Sequence, residues 1–260
     1  MHVEEVRVLR QEKLTEAHRV LVLECPRIAG EARPGQFVHF QAPSDGSLTL
    51  RRPFSIYGLE ATTISLLYKI VGKGTRAMAA LDTGDIVSLI GPLGNGFPEV
   101  SAGAFPALVA GGYGVAPLRL LATKSSTRGI VMIGAKTARD VLCKDELETL
   151  GWQVRVATED GTEGRKGLVT AILSDWLAGE TAGLSPELYA CGPDGMLKAI
   201  CEMAASARLK AWVSVERHMG CGVGACLACV VRISDNAGKT KRARVCKEGP
   251  VFESGQVVWE

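Results

Sequence analysis

Residues 218–230 read HMGCGVGACLACV, with three thiols inside nine positions on a backbone of glycine and alanine. The full spacing is Cys221-x4-Cys226-x2-Cys229, then Cys246 after sixteen further residues. Four thiolates, three of them on one tightly wound loop, are what a two-iron, two-sulfide cluster requires, and C-x4-C-x2-C with a distant fourth Cys is the plant-type ferredoxin spacing. Gly220, Gly222 and Gly224 permit the winding, and small neighbours leave backbone N–H groups free to face the sulfurs. A structural zinc site pairs two close knuckles, and only Cys226-x2-Cys229 forms one here. A disulfide framework would need a secreted chain. Cys25, Cys143 and Cys201 sit in ordinary segments and read as small buried apolar residues.

Two glycine turns could face a nucleotide. Ala110-Gly-Gly-Tyr-Gly-Val-Ala-Pro117 follows a strand and opens a helix, so a phosphate could approach the backbone there. It is not G-x-G-x-x-G, and a purely structural turn looks similar. Tyr189-Ala-Cys-Gly-Pro-Asp-Gly-Met196 is a second strand-to-helix turn of the same kind. Arg51-Arg52-Pro53-Phe54-Ser55-Ile56 offers fixed cations, an aromatic ring and a hydroxyl on one strand. Arginine forks match diphosphate oxygens, yet the same residues suit a solvated edge strand. Gly72-x-Gly74-Thr75 ahead of a helix is a further candidate anion site.

The elements that must hold these residues fall into three textures. Up to about residue 100 the chain reads as short alternating strands, at 3–9, 20–23, 36–41, 63–70 and 85–89. Turns at Pro34-Gly35, Asp45-Gly46 and Thr83-Gly84 separate them, and a helix is expected at 75–80. This spacing predicts a small antiparallel barrel or a sandwich. From about 103, strands at 107–110, 130–133, 153–157, 188–190 and 210–214 alternate with helices from 117, at 139–150, 168–176 and 194–205. That alternation predicts a doubly wound parallel sheet, with 210–214 its last strand. The cysteine-rich tail adds β-like pieces at 230–233 and 257–259. The expected domains are 1–101, 102–214 and 215–260.

With 260 residues and 47% hydrophobic content the chain can build such cores. Thirty Lys and Arg balance 28 Asp and Glu, which leaves no basic footprint for nucleic acid. The amino terminus MHVEEVRVLRQEK lacks the apolar core of a signal peptide, and no uninterrupted apolar run reaches membrane-spanning length. A cytoplasmic, non-membrane protein is expected.

Taken in order, these motifs resemble a known superfamily. Arg52-Pro-Phe-Ser55, Gly74-Thr75 and Gly91-Pro-Leu-Gly-Asn-Gly96 resemble the flavin domain of ferredoxin–NADP reductase-like enzymes. The two glycine turns resemble that superfamily's pyridine-nucleotide domain. The tail, Glu216 to Cys229 with Val245-Cys-Lys-Glu-Gly-Pro-Val-Phe252, resembles the electron-transfer subunit of NAD-dependent (class 1B) dihydroorotate dehydrogenase. The likeness spans essentially the whole chain.

The resemblance implies an NAD-linked oxidoreductase subunit of pyrimidine (UMP) biosynthesis, with FAD and a 2Fe–2S cluster as cofactors and NAD as substrate. It implies that Arg52, Pro53, Phe54 and Ser55 hold FAD, with Ser55 near the reactive flavin edge and Arg52 near the diphosphate. Leu67, Tyr68 and Lys69 would continue that site, and Gly74 and Thr75 would meet the diphosphate. Gly111, Gly112, Gly114 and the Cys191-Gly192-Pro193 turn would border NAD, with Ser55 and Cys191 as the candidate catalytic residues. Cys221, Cys226, Cys229 and Cys246 would ligate the cluster. Electrons would come singly from the reduced FMN of a separate catalytic subunit, which oxidises dihydroorotate, and leave as a hydride to NAD+. The flavin stands between because it handles both one and two electrons. Alone the chain should be inactive toward dihydroorotate, and two of each subunit are expected, a heterotetramer.

Some features depart from the pattern or stay open. Ala110 stands at the first of three usual glycines, Tyr113 follows the third, and Phe54 stands where many relatives carry Tyr. The Tyr113 ring could narrow the nucleotide site or cover the flavin. A flavin and iron–sulfur subunit of another complex, of the ferredoxin–NADP oxidoreductase or sulfhydrogenase type, is one alternative, and a non-catalytic redox sensor another. His18 and His39 read as surface or core histidines, and His218 as a solvated loop residue beside Cys221. Glu216 could approach the flavin. Lys136 and Arg139 follow the second strand of the nucleotide domain, where a 2′-phosphate could bind, yet the resemblance implies NAD.

Overall fold

The computed structural model describes residues 1–43, 49–235 and 238–259. The expected turn at Asp45-Gly46 lies outside them. In chain order the first elements are β1 (His2–Lys13), β2 (His18–Glu24), α1 (Pro26–Glu31), β3 (Phe37–Phe40), β4 (Arg52–Leu59), β5 (Thr63–Lys69), α2 (Lys73–Ala79) and β6 (Ile86–Leu93). Their strands close into a barrel in the order β1-β2-β5-β4-β3-β6. Alternation drives it: Val6 and Val8, Leu21 and Leu23, Val38 and Phe40, Ile64 and Leu66 are buried in one core. The closed form leaves no unpaired edge.

The second unit holds β7 (Phe105–Gly111), α3 (Val115–Lys124), β8 (Ile130–Ala135), α4 (Lys144–Thr149), β9 (Gln153–Thr158), β10 (Arg165–Lys166), α5 (Val169–Gly179), β11 (Pro186–Cys191), α6 (Asp194–Ala207) and β12 (Lys210–Ser214). The tail supplies β13 (Val230–Ser234), β14 (Thr240–Arg244) and β15 (Val251–Glu253). The central sheet runs β10-β9-β8-β7-β11-β12-β15, parallel except for β15. Successive residues of β7 serve opposite faces. Ala107 and Val109 pack with α5, α6 and the tail, whereas Leu108 and Ala110 pack with α3, α4 and the barrel residues Val20, Val22, Tyr57 and Leu67. The sheet thus packs the barrel on one face and the tail on the other, and the barrel residues Phe37 and Leu93 also reach the tail's core.

Three expectations are corrected. The helix expected at 139–150 is two pieces: a single 3-10 turn at Ala138–Asp140, an extended Val141, and α4. Cys143 sits at φ 64°, outside helical backbone, and Asp145 and Glu146 favour a fresh helix start beyond it. Next, β12 is not the sheet's last strand, because β15 pairs antiparallel to it through Trp212↔Glu253, Val213↔Phe252 and Ser214↔Val251. Finally, 257–259 forms no strand. A 3-10 turn at Ser254–Gln256 redirects the chain, and only Val257 bridges to Ile233.

Candidate functional site

Strands β7, β8, β9 and β10 step outward one way from the middle of the sheet, and β11 and β12 step the other way. The order reverses between β7 and β11, and ligand crevices form beyond the carboxyl ends of strands at such a point. A cleft of about 640 Å³ opens there. Both glycine turns line it, through Gly111, Gly112 and Tyr113 on one side and Gly192, Pro193 and Met196 on the other. The turns touch: a Cβ on Gly111 would lie 2.7 Å from Pro193 Cδ, and one on Gly114 would lie 2.4 Å from the Cys191 carbonyl oxygen. Glycine is thus demanded by close approach, whatever binds. Cys191 is 1% exposed, and burial, helped by the nearby Glu216 carboxylate, pushes its thiol far up. It is a buried, neutral residue at the end of β11.

The barrel closes the cleft with Lys69 and His18. Lys69 Nζ pairs with Asp140 Oδ1 at 3.1 Å across the boundary. His18, held at 2.9 Å by the Thr15 hydroxyl, is kept below its usual pKa by burial and then by Lys69. Glu216 lies at the cleft mouth beside Tyr113. The enclosing walls, and then the Asp194 carboxylate, hold it above the usual carboxylate range. Tyr113 is 47% exposed and its phenol is pushed up chiefly by the Glu216 charge.

On β4 the Arg-Pro-Phe-Ser residues pair with β3: Phe40↔Arg52, His39↔Pro53, Val38↔Phe54 and Phe37↔Ser55. Phe54 meets Phe40 and Tyr68 edge-on, each with centroids 6.0 Å apart. Arg52 reaches the start of α2, where a Cβ on Gly74 would fall 2.1 Å from its Nε. Thr75 Oγ1 accepts from the backbone N–H of Val71 and Gly72 at 2.9 and 3.1 Å, so its hydroxyl shapes that turn. Leu67 packs into the barrel–sheet boundary and Tyr68 into the barrel core, its hydroxyl bonded to Gln11. Neither side chain faces open space, so any ligand contact there falls to the main chain. Arg51 is spent on the barrel, donating to Ser88 O at 2.8 Å and Ser88 Oγ at 2.9 Å.

The four cysteines come together. Cys221 Sγ accepts from the N–H groups of Val223, Ala225 and Cys226 at 3.4, 3.2 and 3.4 Å. Cys226 Sγ accepts from Cys221 N–H, and Cys229 Sγ from Cys246 N–H, both at 3.4 Å. Gly222 and Gly224 take φ 71° and 87°, which winds the loop so that these donors point inward. Burial pushes the Cys221 thiol up, but the three donors outweigh it and bring it down to about 6. Among the described residues no group of three or more His, Cys, Asp or Glu side chains is arranged to hold a single ion. The hydrogen bonds to sulfur link Cys221 with Cys226 and Cys229 with Cys246. Asn95 N and Nδ2 bond Gly249 O and Glu248 O, which ties the barrel to this tail.

The tail, residues 216–258, matches the family model for the iron–sulfur cluster binding domain of dihydroorotate dehydrogenase B. Residues 108–202 match the oxidoreductase NAD-binding domain. The dihydroorotate dehydrogenase B (NAD(+)) electron transfer subunit of Desulforamulus reducens is 40% identical over 242 residues, covering 91% of each chain. The chain belongs to the dihydroorotate dehydrogenase B electron transfer subunit family. The Bacillus cereus family member is 37% identical over 259 residues, covering 96% of each chain. A chain in the structure of NADH-dependent reduced ferredoxin-NADP oxidoreductase aligns with TM-score 0.84 and 28% identity over 98% of this chain and 90% of that one. The Neisseria gonorrhoeae ferredoxin NADP+ reductase, solved with FAD and NADP, shares the fold at TM-score 0.65 and 16% identity, over 80% of this chain and 92% of that one.

Two features of this family member go beyond what the sequence indicates: the far cleft wall, which no motif marks, and His39, expected as an ordinary surface or core histidine. Glu159 and the 167–170 segment line the far cleft wall, but polar residues after a strand carry no signal of their own. His39 is 0% exposed with neither ring nitrogen hydrogen-bonded. Burial, then the Arg51 charge, keeps it below its usual pKa and hence neutral. Its neighbour in space, Gly222, lies 183 positions away in a sequence that gives no hint of the contact.

Proposed function

We propose that this chain carries electrons from a dihydroorotate-oxidising catalytic subunit to NAD+, with modules at 1–101, 102–214 and 215–260. One observation carries the reading. The strand β3 pairs edge-to-edge with the Arg52–Ser55 strand while its outer face packs against the cysteine loop. The candidate flavin and cluster sites therefore share one wall. When bound, the flavin supplies exchange between single electrons and a hydride, and the 2Fe–2S cluster supplies one-electron transfer.

The residues present fit both groups. Cys221, Cys226, Cys229 and Cys246 hold the irons, and backbone N–H groups already aimed at sulfur stabilise negative charge there. Arg52, seated in the space left by Gly74, binds the FAD diphosphate, and Thr75 holds the turn that Arg52 rests on. Phe54 and Ser55, with Pro53, flank the isoalloxazine, the Phe54 ring being steadied by Phe40 and Tyr68. Leu67 contributes main chain, and Lys69 reaches the cleft. Gly111, Gly112, Gly114, Gly192 and Pro193 let the NAD pyrophosphate approach the starts of α3 and α6. Cys191 excludes water behind the nicotinamide. Tyr113, half-exposed in the cleft lining, narrows the nucleotide site.

The partner is an FMN-containing dihydroorotate dehydrogenase catalytic subunit, in an assembly of two of each chain. Among the described residues no helix is long and apolar enough to cross a membrane. The test mixes the FAD- and iron-loaded chain with such a catalytic subunit from the same genome and follows NADH formation from dihydroorotate and NAD+. Formation that needs both proteins and is lost with Cys226→Ser is expected. The 28% likeness to the bifurcating oxidoreductase chain favours one second reading, a redox subunit with a different partner. NADH that bleaches the flavin with no dihydroorotate-driven NADH formation would move that reading first.

A further inference from the structure

His39 sits within β3, fully buried, paired with Pro53 of β4 and set against the loop that carries Cys221. Its ring lies so close to Gly222 that a Cβ there would be 2.5 Å from Nδ1, 2.9 Å from Cγ and 3.0 Å from Cε1. Both ring nitrogens are buried without a hydrogen-bond partner among the described residues. Main-chain groups of Cys221 and Arg51 approach the ring without completing a bond. The Arg51 guanidinium is turned to Ser88 and the His39 carbonyl. Two residues along the same face, Phe37 shares a core with Cys229 and Cys246.

A buried imidazole with no partner is costly. An apolar residue at this place in the barrel wall would avoid that cost. Nδ1 faces Gly222 of the loop that carries Cys221, where the sulfur accepts N–H donors. Among the described residues, the donors to Cys221 and Cys226 come from the backbone of that loop itself. The barrel wall opposite offers His39.

We propose that His39 is a positioning residue that donates a ring N–H to a sulfur of the bound cluster, fixing the cysteine loop against the flavin strand and raising the cluster's reduction potential. The proposal rests on the cluster reading above. Hydrogen bonds to sulfur favour the more negative, reduced cluster. A neutral imidazole has one N–H to give, and the ring's other nitrogen then faces the main chain.

The test uses the full chain loaded with FAD and cluster, as wild type, His39→Phe and His39→Gln. Phenylalanine keeps a flat ring without N–H, and glutamine keeps a donor. Readouts are iron and sulfide content, the cluster midpoint by EPR-monitored titration, and the Fe–S vibrations in H2O and D2O. For His39→Phe the reduced-to-oxidised ratio at fixed potential should fall about tenfold, about 59 mV for a one-electron couple. A D2O sensitivity of wild-type vibrations lost in His39→Phe is also expected, with bridging or terminal modes telling which sulfur accepts. His39→Gln should lie nearer wild type. A wild-type midpoint in fully loaded His39→Phe overturns the proposal. If His39→Phe cannot hold a cluster, His39→Gln decides: a near-wild-type midpoint supports the donor, and cluster loss there too makes His39 packing alone and overturns it. A wild-type chain that takes up no iron sinks the cluster reading itself, and the proposal with it.

Discussion

Gly74 is a glycine because Arg52 occupies the space where a side chain would begin, with Nε 2.1 Å from the missing Cβ. The obstacle is the far part of a flexible side chain, so in Gly74→Ala the arginine moves and the fold stays. The expected outcome is an unchanged melting temperature with FAD held roughly tenfold more weakly, about 1.4 kcal/mol, read by flavin fluorescence on dilution. Glu187 makes a different prediction. It is 4% exposed and accepts from Ser101 N–H and the Tyr189 hydroxyl, each at 3.0 Å, and from Lys210 at 3.5 Å. Burial pushes its carboxyl up, but these bonds outweigh it and the net pKa is lowered. A depressed folded-state pKa contributes stability above the ordinary value near 4.3 that is lost as pH falls below it. Thermal unfolding of Glu187→Gln should therefore be less stable than wild type at pH 7, by about 1–3 kcal/mol, with a smaller loss between pH 5 and 3. Equal slopes for the two proteins would refute this.

At the scale of elements, the loop from Cys221 to Cys229 depends on backbone that side chains rarely adopt. Gly222 combines φ 71° with the His39 ring against its missing Cβ. Gly222→Ala is strained twice over, by conformation and by collision. Visible absorbance of the cluster should fall by more than half while flavin absorbance is retained, since β4 and α2 lie on the barrel. Full cluster content would show that the loop can repack. The two nucleotide turns invert the Gly74 case. A Cβ on Gly114 meets the Cys191 main chain at 2.4 Å, and a backbone neighbour cannot step aside. Gly114→Ala should thus raise KM for NAD(H) severalfold and lower stability together, as steady-state kinetics and melting would report.

Across the whole molecule the tail is built into the nucleotide unit. The strand β15 pairs with β12, and Phe252, Val257, Val231 and Cys229 share one core with α5, α6 and β12. A chain ending at residue 214 would uncover that core and leave β12 as an open edge, the usual template for aggregation. It should express as aggregate or melt well below the full chain, whereas an independently folded tail would leave the remainder's melting temperature unchanged. The opposite face is joined to the barrel by apolar packing and, at its margin, by polar contacts. Glu146 accepts from the Tyr57 hydroxyl at 2.7 Å and pairs with Arg119, which also stacks over the Tyr57 ring at 4.7 Å. These hold barrel and sheet at the angle that lets Lys69 and His18 close the cleft.

Much of this was legible in the chain itself. Period-two alternation gave the barrel strands, alternation of strand and helix gave the parallel sheet, and glycine turns after β7 and β11 marked the crevice, because these signals are local. The cysteine spacing was legible for the same reason: three ligands on one loop must be close in sequence to be close in space. Less was visible where geometry is set by distant partners. Cys143 in a left-handed conformation broke an apparently continuous helix. The tail's β15 found its pairing partners 37 to 41 positions upstream, and a three-residue strand has too short a pattern to announce itself. Leu67 and Tyr68 look like site residues in a motif, yet their side chains turn into packed cores. His39 is the clearest case. Sequence offered a lone histidine in a strand, and only the tertiary fold set its ring against Gly222, because burial and contact at that range follow from how the barrel wall and the cysteine loop meet.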